Sequence, residues 1–246
     1  MKRHKWLVFT AVALTASSIM LYAGRYAAYG DSKAMFMLLL DNLAFLPLQV
    51  LLVVLIIERV LSIHERSQLL QKLNMVIGTF FSELGSRLLG ELTNCVRNQD
   101  EVRKRLSVNS NWTANNYRNS LLFVKTFDYK IDLSAPGLDG LREMLLDKRG
   151  LIIMLLANPN LLEHERFTDL LWAVEHLMEE LAARSSLDNL PDSDRQHLAG
   201  DVQRVYALLT AEWLLYCQHL QCAYPYIFSI IVRTHPLQAN PSPTVV

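Results

Sequence analysis

From Asp41 to Leu92 one apolar-rich stretch runs without a turn signal, and the spacing of its hydrophobic positions changes partway along. No charge falls between Asn42 and Ile57. With Leu38–Leu40 added, the run reaches the roughly 20 residues that cross about 30 Å of hydrocarbon, which predicts a membrane span over residues 38–57. After Glu58 and Arg59 charges return, but Leu69, Leu70, Leu73, Val76, Ile77, Phe80, Phe81, Leu84 and Leu88 keep a helical period. The same helix should therefore continue beyond the bilayer with one buried face.

Upstream, the basic MKRHK precedes an uncharged run from Trp6 to Gly24, which predicts a first span over residues 6–24. A cleaved signal peptide would carry an apolar core of about 7–15 residues and a small-x-small cleavage site. This run is longer and offers only weak sites such as Ala16-Ser17-Ser18, so an uncleaved anchor is expected. Lys2, Arg3 and Lys5 should stay cytoplasmic, which places the Arg25–Lys33 connection outside and returns the second span inward. Cleavage would leave that topology unchanged.

Thr10, Ser17 and Gly24 recur every seven residues on the first span, and Asn42 and Gln49 on the second. Small residues let helices approach and amides bond across them, so these stripes should form the seam of a hairpin or a contact between copies. Pro47 should free the carbonyl of Leu43 and kink the span. Asp41 falls near the outer interface, within reach of Arg25; in an oligomer Asp41, Asn42 and Gln49 would instead line a pathway.

Gly78, Ser82 and Gly85 lie at helical spacing beside Met75, Phe80 and Phe81. A helix-interior glycine costs about 1 kcal/mol relative to alanine, so close approach by another helix, in the core or from a partner, is expected here. Between Arg97 and Asp132 the pattern loosens: Arg97, Arg103, Lys104 and Arg105 mix with Asp100 and Glu101, as on a solvated face, with anionic lipid as the alternative partner. Tyr129–Gly140 reads as a loop with turns at Pro136-Gly137 and Asp139-Gly140. A helix from Leu141 should be interrupted at Arg149-Gly150, with a buried segment running to Ala157.

Asn160 and Glu163 form a capping arrangement for a helix from Leu161 to about Arg184. Its core side carries Phe167, Leu170, Leu171, Val174, Leu177, Met178 and Leu181, opposite Glu165, Asp169, His176 and Glu180. Pro191 breaks the chain, and Ser193 with Gln196 should cap a last long helix whose core stripe runs from Leu198 to Leu220, bordered by Tyr206 and Trp213. Tyr224-Pro225 ends it. A short apolar helix over Tyr226–Arg233 should cap the core or lie in the membrane interface, and the tail from Leu237 should be disordered.

The segments DNLAFLPLQVLLVVLIIERVL, KLNMVIGTFFSELGSRLL, NPNLLEHERFTDLLWAVEHLMEEL and YPYIFSIIVRTHPL resemble a family of uncharacterised prokaryotic membrane proteins with two N-terminal spans and a helical cytoplasmic domain. The resemblance covers most of the chain after about residue 35. It implies an inner membrane of bacterial type and brings no activity, cofactor or catalytic residue. Where the family's last motif ends in Asn-Pro-Phe, this chain has His235-Pro236-Leu237.

Composition agrees with an anchored helical protein: 51% of the 246 residues are hydrophobic, and 24 basic residues balance 24 acidic ones. No net field steers the chain toward nucleic acid. Cys95, Cys217 and Cys222 form no disulfide framework. His64-Glu65 and His164-Glu165 begin an H-E-x-x-H pattern but end on Gln68 and Thr168, and no phosphate-binding or nucleophile-elbow motif occurs. The stripe around His176 and the trio Cys217, His219 and Cys222 are the metal candidates. Amphipathicity explains the first and poor spacing argues against the second, so no metal, cofactor or catalytic residue is expected.

The chain is thus expected to be all-α: a transmembrane hairpin over 1–63, a cytoplasmic helical bundle over 64–236 and a tail over 237–246. A structural or regulatory interaction module in a bacterial inner membrane is the expected function, with the bilayer and a second copy or membrane protein as partners. A small channel or transporter component built from oligomerised hairpins is the alternative.

Overall fold

A computed structural model describes residues 2–133, 137–161, 164–238 and 241–244, with side chains described there except at 2–11, 28–29, 32, 35 and 65–71. Thr10, Leu69, Leu70, Pro136 and Glu163 lie outside the described side chains. The chain divides into two compact units, Met1–Arg66 and Ser67–Val246.

The first unit is built on α1 (Lys2–Tyr29) and on α2 (Ser32–Phe80) as far as Arg66. Gly30 has φ 62° and donates its N–H to the Tyr26 carbonyl at 2.9 Å, which closes α1 in the left-handed conformation that glycine adopts without strain. Asp31 Oδ1 accepts the N–H groups of Lys33 at 2.9 Å and Ala34 at 3.2 Å and so caps α2. These adjacent caps shorten the connection expected over Arg25–Lys33 to Gly30-Asp31. Pro47 lies inside α2.

Phe36–His64, 29 residues of α2, is long and apolar enough to cross a membrane, and none of it is buried within the chain. It is the one such segment among the described residues. The expected first span, 6–24, starts among side chains outside the description. The small-residue seam does not close within one chain: Ser17 and Gln49 are exposed, and a Cβ on Gly24 would meet nothing within 4 Å. The Asn42 amide instead donates to the Tyr22 hydroxyl at 3.0 Å. Asp41 is exposed, and no ion pair joins it to Arg25 among the described residues.

Among the described residues of the second unit, the regular elements are all helices, and one antiparallel bridge joins Val96 to Ile131. After α2 a π-helical turn spans Phe81–Gly85 and leads into α3 (Ser86–Asn94). The loosened stretch folds as α4 (Gln99–Leu106) and α5 (Ala114–Thr126). In α4 the acids fall in the first turn and the bases in the last, which suits the helix dipole. Thr113 and Asn116 form a capping box for α5, hidden in the sequence by the surrounding asparagines.

α6 (Leu138–Asp147) and α7 (Arg149–Leu156) part at Lys148, so Asp139-Gly140 and Gly150 lie inside helices and not at turns. In α7 Ile152 and Leu155 are buried while Ile153 and Met154 are 47% and 58% exposed, which makes it amphipathic where a buried segment was expected. α8 (Glu165–Ala183) begins later than Leu161 because His164 Nδ1 accepts the Phe167 N–H at 3.2 Å and caps it there. α9 (Asp192–Ala223) starts after Pro191 with no side-chain cap bond, so the expected Ser193/Gln196 box does not form.

α9 is the centre of the unit: α3, α5, α8 and α10 (Pro225–Thr234) all pack on it, while α6 and α7 pack on α8. The seven expected core residues of α8 are each at most 1% exposed. Each contributes about 1.5–3 kcal/mol by leaving water. Tyr206 and Trp213, expected at the border of the α9 stripe, are 0% and 1% exposed, because neighbours on several sides widen the buried arc.

α10 caps the core through Phe228 and Val232 and leaves Tyr226 and Ile230 exposed. The tail is ordered further than expected. Leu237 is fully buried, and Gln238 Nε2 donates to the Val232 carbonyl at 2.7 Å while its Oε1 accepts from Ser107 at 3.2 Å.

Candidate functional site

His176 and Glu180 stand one turn apart on α8, and His197 and Asp201 one turn apart on α9, each pair sharing a helix face. Packing of the two helices brings the pairs together. His176 Nε2 lies 3.6 Å from Asp201 Oδ2 and 3.9 Å from Glu180 Oε1. His197 Nε2 lies 3.4 Å from the same Asp201 oxygen and 3.5 Å from Glu180 Oε2. One ligand atom from each of His176, Glu180 and His197 lies within 4.8 Å of the others. Both imidazoles are about half exposed, whereas the Asp201 side chain is 4% exposed and its Oδ2 accepts no hydrogen bond.

Arginines hold the far side of both carboxylates. Arg204 donates to Asp201 Oδ1 at 3.1 Å. Arg184 donates to Glu180 Oε2 at 2.8 Å and to the Glu180 carbonyl, and it grips Asp194 through Nε at 2.9 Å and a terminal nitrogen at 2.5 Å. The hydrogen bond from Arg184 is the main reason that the Glu180 carboxyl lies below its ordinary range.

The sequence singles out Glu165, Asp169, His176 and Glu180 and attributes the stripe to amphipathicity. Glu165 and Asp169 are exposed and take no part in the cluster, but α9 supplies His197 and Asp201. The i, i+4 repeat His197-x-x-x-Asp201, matching His176-x-x-x-Glu180, is the signal that points to them. Cys217, His219 and Cys222 form no such group: Cys217 is buried, Cys222 is exposed, and His219 Nδ1 lies 3.3 Å from the Asn74 amide. Burial pushes the Cys217 thiol well above its usual range.

Gly78, Ser82 and Gly85 do not form one groove. The π turn, marked by the Ser86 N–H bonded to the Phe81 carbonyl, interrupts their α-helical register. A Cβ on Gly85 would lie 2.7 Å from ring atoms of both Phe80 and Phe81, so this glycine accommodates rings of its own helix. Gly78 faces Tyr216, whose hydroxyl would be 3.5 Å from an added Cβ, and Ser82 is exposed. Tyr216 stacks on Phe81 at 5.0 Å.

Glu212 of α9 is a buried acid that no sequence pattern announces. Burial raises its carboxyl pKa, and Arg166, 3.6 Å away, opposes that rise. In the basic cluster Arg97 pairs with Asp132 at 2.8 Å and Arg105 lies over the Phe123 ring.

Two family profiles match the chain: "MJ1433, N-terminal helical domain" over residues 2–61 and "Uncharacterized protein MJ1433, C-terminal helical domain" over residues 69–233. "Uncharacterized protein MJ1433" of Methanocaldococcus jannaschii is 37% identical over 241 residues, covering 96% of this chain and 95% of that protein. No solved structure matches the chain.

Proposed function

The chain belongs to the MJ1433 family of uncharacterised helical proteins, and we propose that it is a membrane-anchored protein whose second unit serves as a structural or regulatory interaction module. One observation carries the anchor: Phe36–His64 is helical and apolar and buries none of its length within the chain. Side chains such as Leu43, Leu51, Ile56 and Val60 are 65%, 55%, 54% and 60% exposed. Monomeric soluble proteins rarely present contiguous apolar surface on that scale, whereas hydrocarbon accepts it and a helix satisfies its own backbone there.

In this reading α1 is the other arm of a hairpin, a role supported by the Tyr22–Asn42 hydrogen bond. The basic start of the chain puts the second unit in the cytoplasm of a prokaryotic cell. Engagement of Asn42 by Tyr22 favours packing over the pore-lining role that a channel would require. On the second unit, exposed Trp172, Met154 and Tyr226 offer large apolar contacts to a partner, and no catalytic reaction is assigned.

Labelling with a membrane-impermeant maleimide tests the anchor and its orientation. Cys222 is exposed in the second unit and should react only after the cells are opened, whereas Lys33→Cys, beside the interhelical turn, should react in intact right-side-out cells. Reaction of Cys222 in intact cells, or release of the protein from membranes by alkaline carbonate, would overturn the assignment. Trp172→Asp and Tyr226→Asp should weaken any complex stable in mild detergent without altering helix content; complexes of undiminished stability would exclude these residues from the interface.

A further inference from the structure

We propose that His176, Glu180, His197 and Asp201 bind one divalent first-row transition-metal ion, Zn²⁺ foremost, and that the ion clasps α8 to α9. Around a tetrahedral ion with bonds of about 2.0–2.2 Å, neighbouring donor atoms stand about 3.3–3.6 Å apart. The four imidazole-to-carboxylate separations are 3.4, 3.5, 3.6 and 3.9 Å. Asp201 Oδ2 stands at such a distance from both imidazoles, Glu180 presents one oxygen to each ring, and donor atoms of His176, Glu180 and His197 lie within 4.8 Å of one another. Two imidazoles with two carboxylates suit Zn²⁺, Co²⁺ or Mn²⁺ better than Ca²⁺ or Mg²⁺, which prefer all-oxygen shells.

Asp201 supplies an independent reason. Its side chain is 4% exposed, and Oδ2 faces both imidazoles without accepting a hydrogen bond. A buried carboxylate oxygen left unpaired is costly, and a cation between the two rings would satisfy it. The arginines complete the arrangement. Arg184 holds Glu180 Oε2 and Arg204 holds Asp201 Oδ1, which leaves Asp201 Oδ2 facing both rings and Glu180 Oε1 facing His176. Outer partners of this kind fix the orientation of metal-binding carboxylates. A metal ion takes imidazole in its neutral form, so metal binding and proton binding compete.

The test uses the full chain in detergent micelles, purified without a histidine tag or nickel resin and stripped with a chelator, then titrated with ZnCl2 by calorimetry and CoCl2 by visible absorption. One ion per chain, a higher melting temperature with Zn²⁺ and the intense d–d bands of tetrahedral Co²⁺ are expected. The double variant His176→Gln/His197→Gln should bind at least about 100-fold more weakly, and Arg204→Ala about 10-fold more weakly, through loss of carboxylate orientation. In the unaltered protein, Zn²⁺ should protect both His176 and His197 from diethyl pyrocarbonate, read by mass spectrometry, so the outcome does not depend on how the variants fold. Failure of the wild-type chain to bind either ion saturably, binding undiminished in the double variant, or equal modification of both histidines with and without Zn²⁺ would each overturn the site.

Discussion

His235 packs its ring against that of Trp213, with centroids 4.8 Å apart and planes tilted by 46°, and only 4% of the histidine is exposed. The contact fastens the segment after α10 to the central helix α9. Burial of the imidazole lowers its pKa from 6.5 to about 4.

A pH dependence follows. The folded chain keeps His235 neutral where the unfolded chain already binds a proton, so its share of stability is complete above about pH 6.5 and is lost progressively toward pH 4. A shift of that size corresponds to about 3 kcal/mol at most. Glu212 acts in the opposite sense: its raised carboxyl pKa makes the folded state gain relative to the unfolded one as pH falls. Comparing wild type with His235→Phe separates the two. The variant's denaturation midpoint should fall less between pH 7 and pH 4, and parallel curves would rule out the buried imidazole as the cause.

At Gly85 intrinsic propensity and packing oppose each other. Replacing a helix-interior glycine with alanine should gain about 1 kcal/mol. At Gly85 the new Cβ would press to 2.7 Å on the buried rings of Phe80 and Phe81, one of them stacked on Tyr216, and overpacking of this kind costs about 1–3 kcal/mol. Gly85→Ala should therefore destabilise, whereas Gly200→Ala, at an exposed position with open space around it, should stabilise. Denaturant midpoints of opposite sign check the contrast.

Leu237 distinguishes an anchored tail from a loose one. Its side chain is fully buried and the following Gln238 is hydrogen-bonded to the Val232 carbonyl. Leu237→Ala should cost about 2–5 kcal/mol, the usual range for deleting a buried leucine side chain. Thr244→Ala, at an exposed position, should leave the thermal midpoint unchanged. Equal midpoints for both variants would mean that the tail is free from Leu237 onward.

The helical class, the apolar segment within Phe36–His64 and the core faces of α8 and α9 are legible in the order of residues alone, because burial of one helix face leaves a 3.6-residue period that needs no partner to be seen. Local breakers likewise located Pro191 and Tyr224-Pro225 as the bounds of α9. Where ends depend on a single cap, as at His164 and Asp31, or on an inserted turn, as at Phe81–Gly85, the helices begin or change register away from the periodic signal. Periodicity also states which face of a helix is polar and nothing about what stands opposite it. His176 and Glu180 on α8 read as a solvated stripe. Only the packing of α8 on α9 sets them against His197 and Asp201, because the register between two helices is decided by how all their core side chains interlock. For the same reason Leu237 looks like the start of a loose tail in sequence, yet is buried in the core of the second unit.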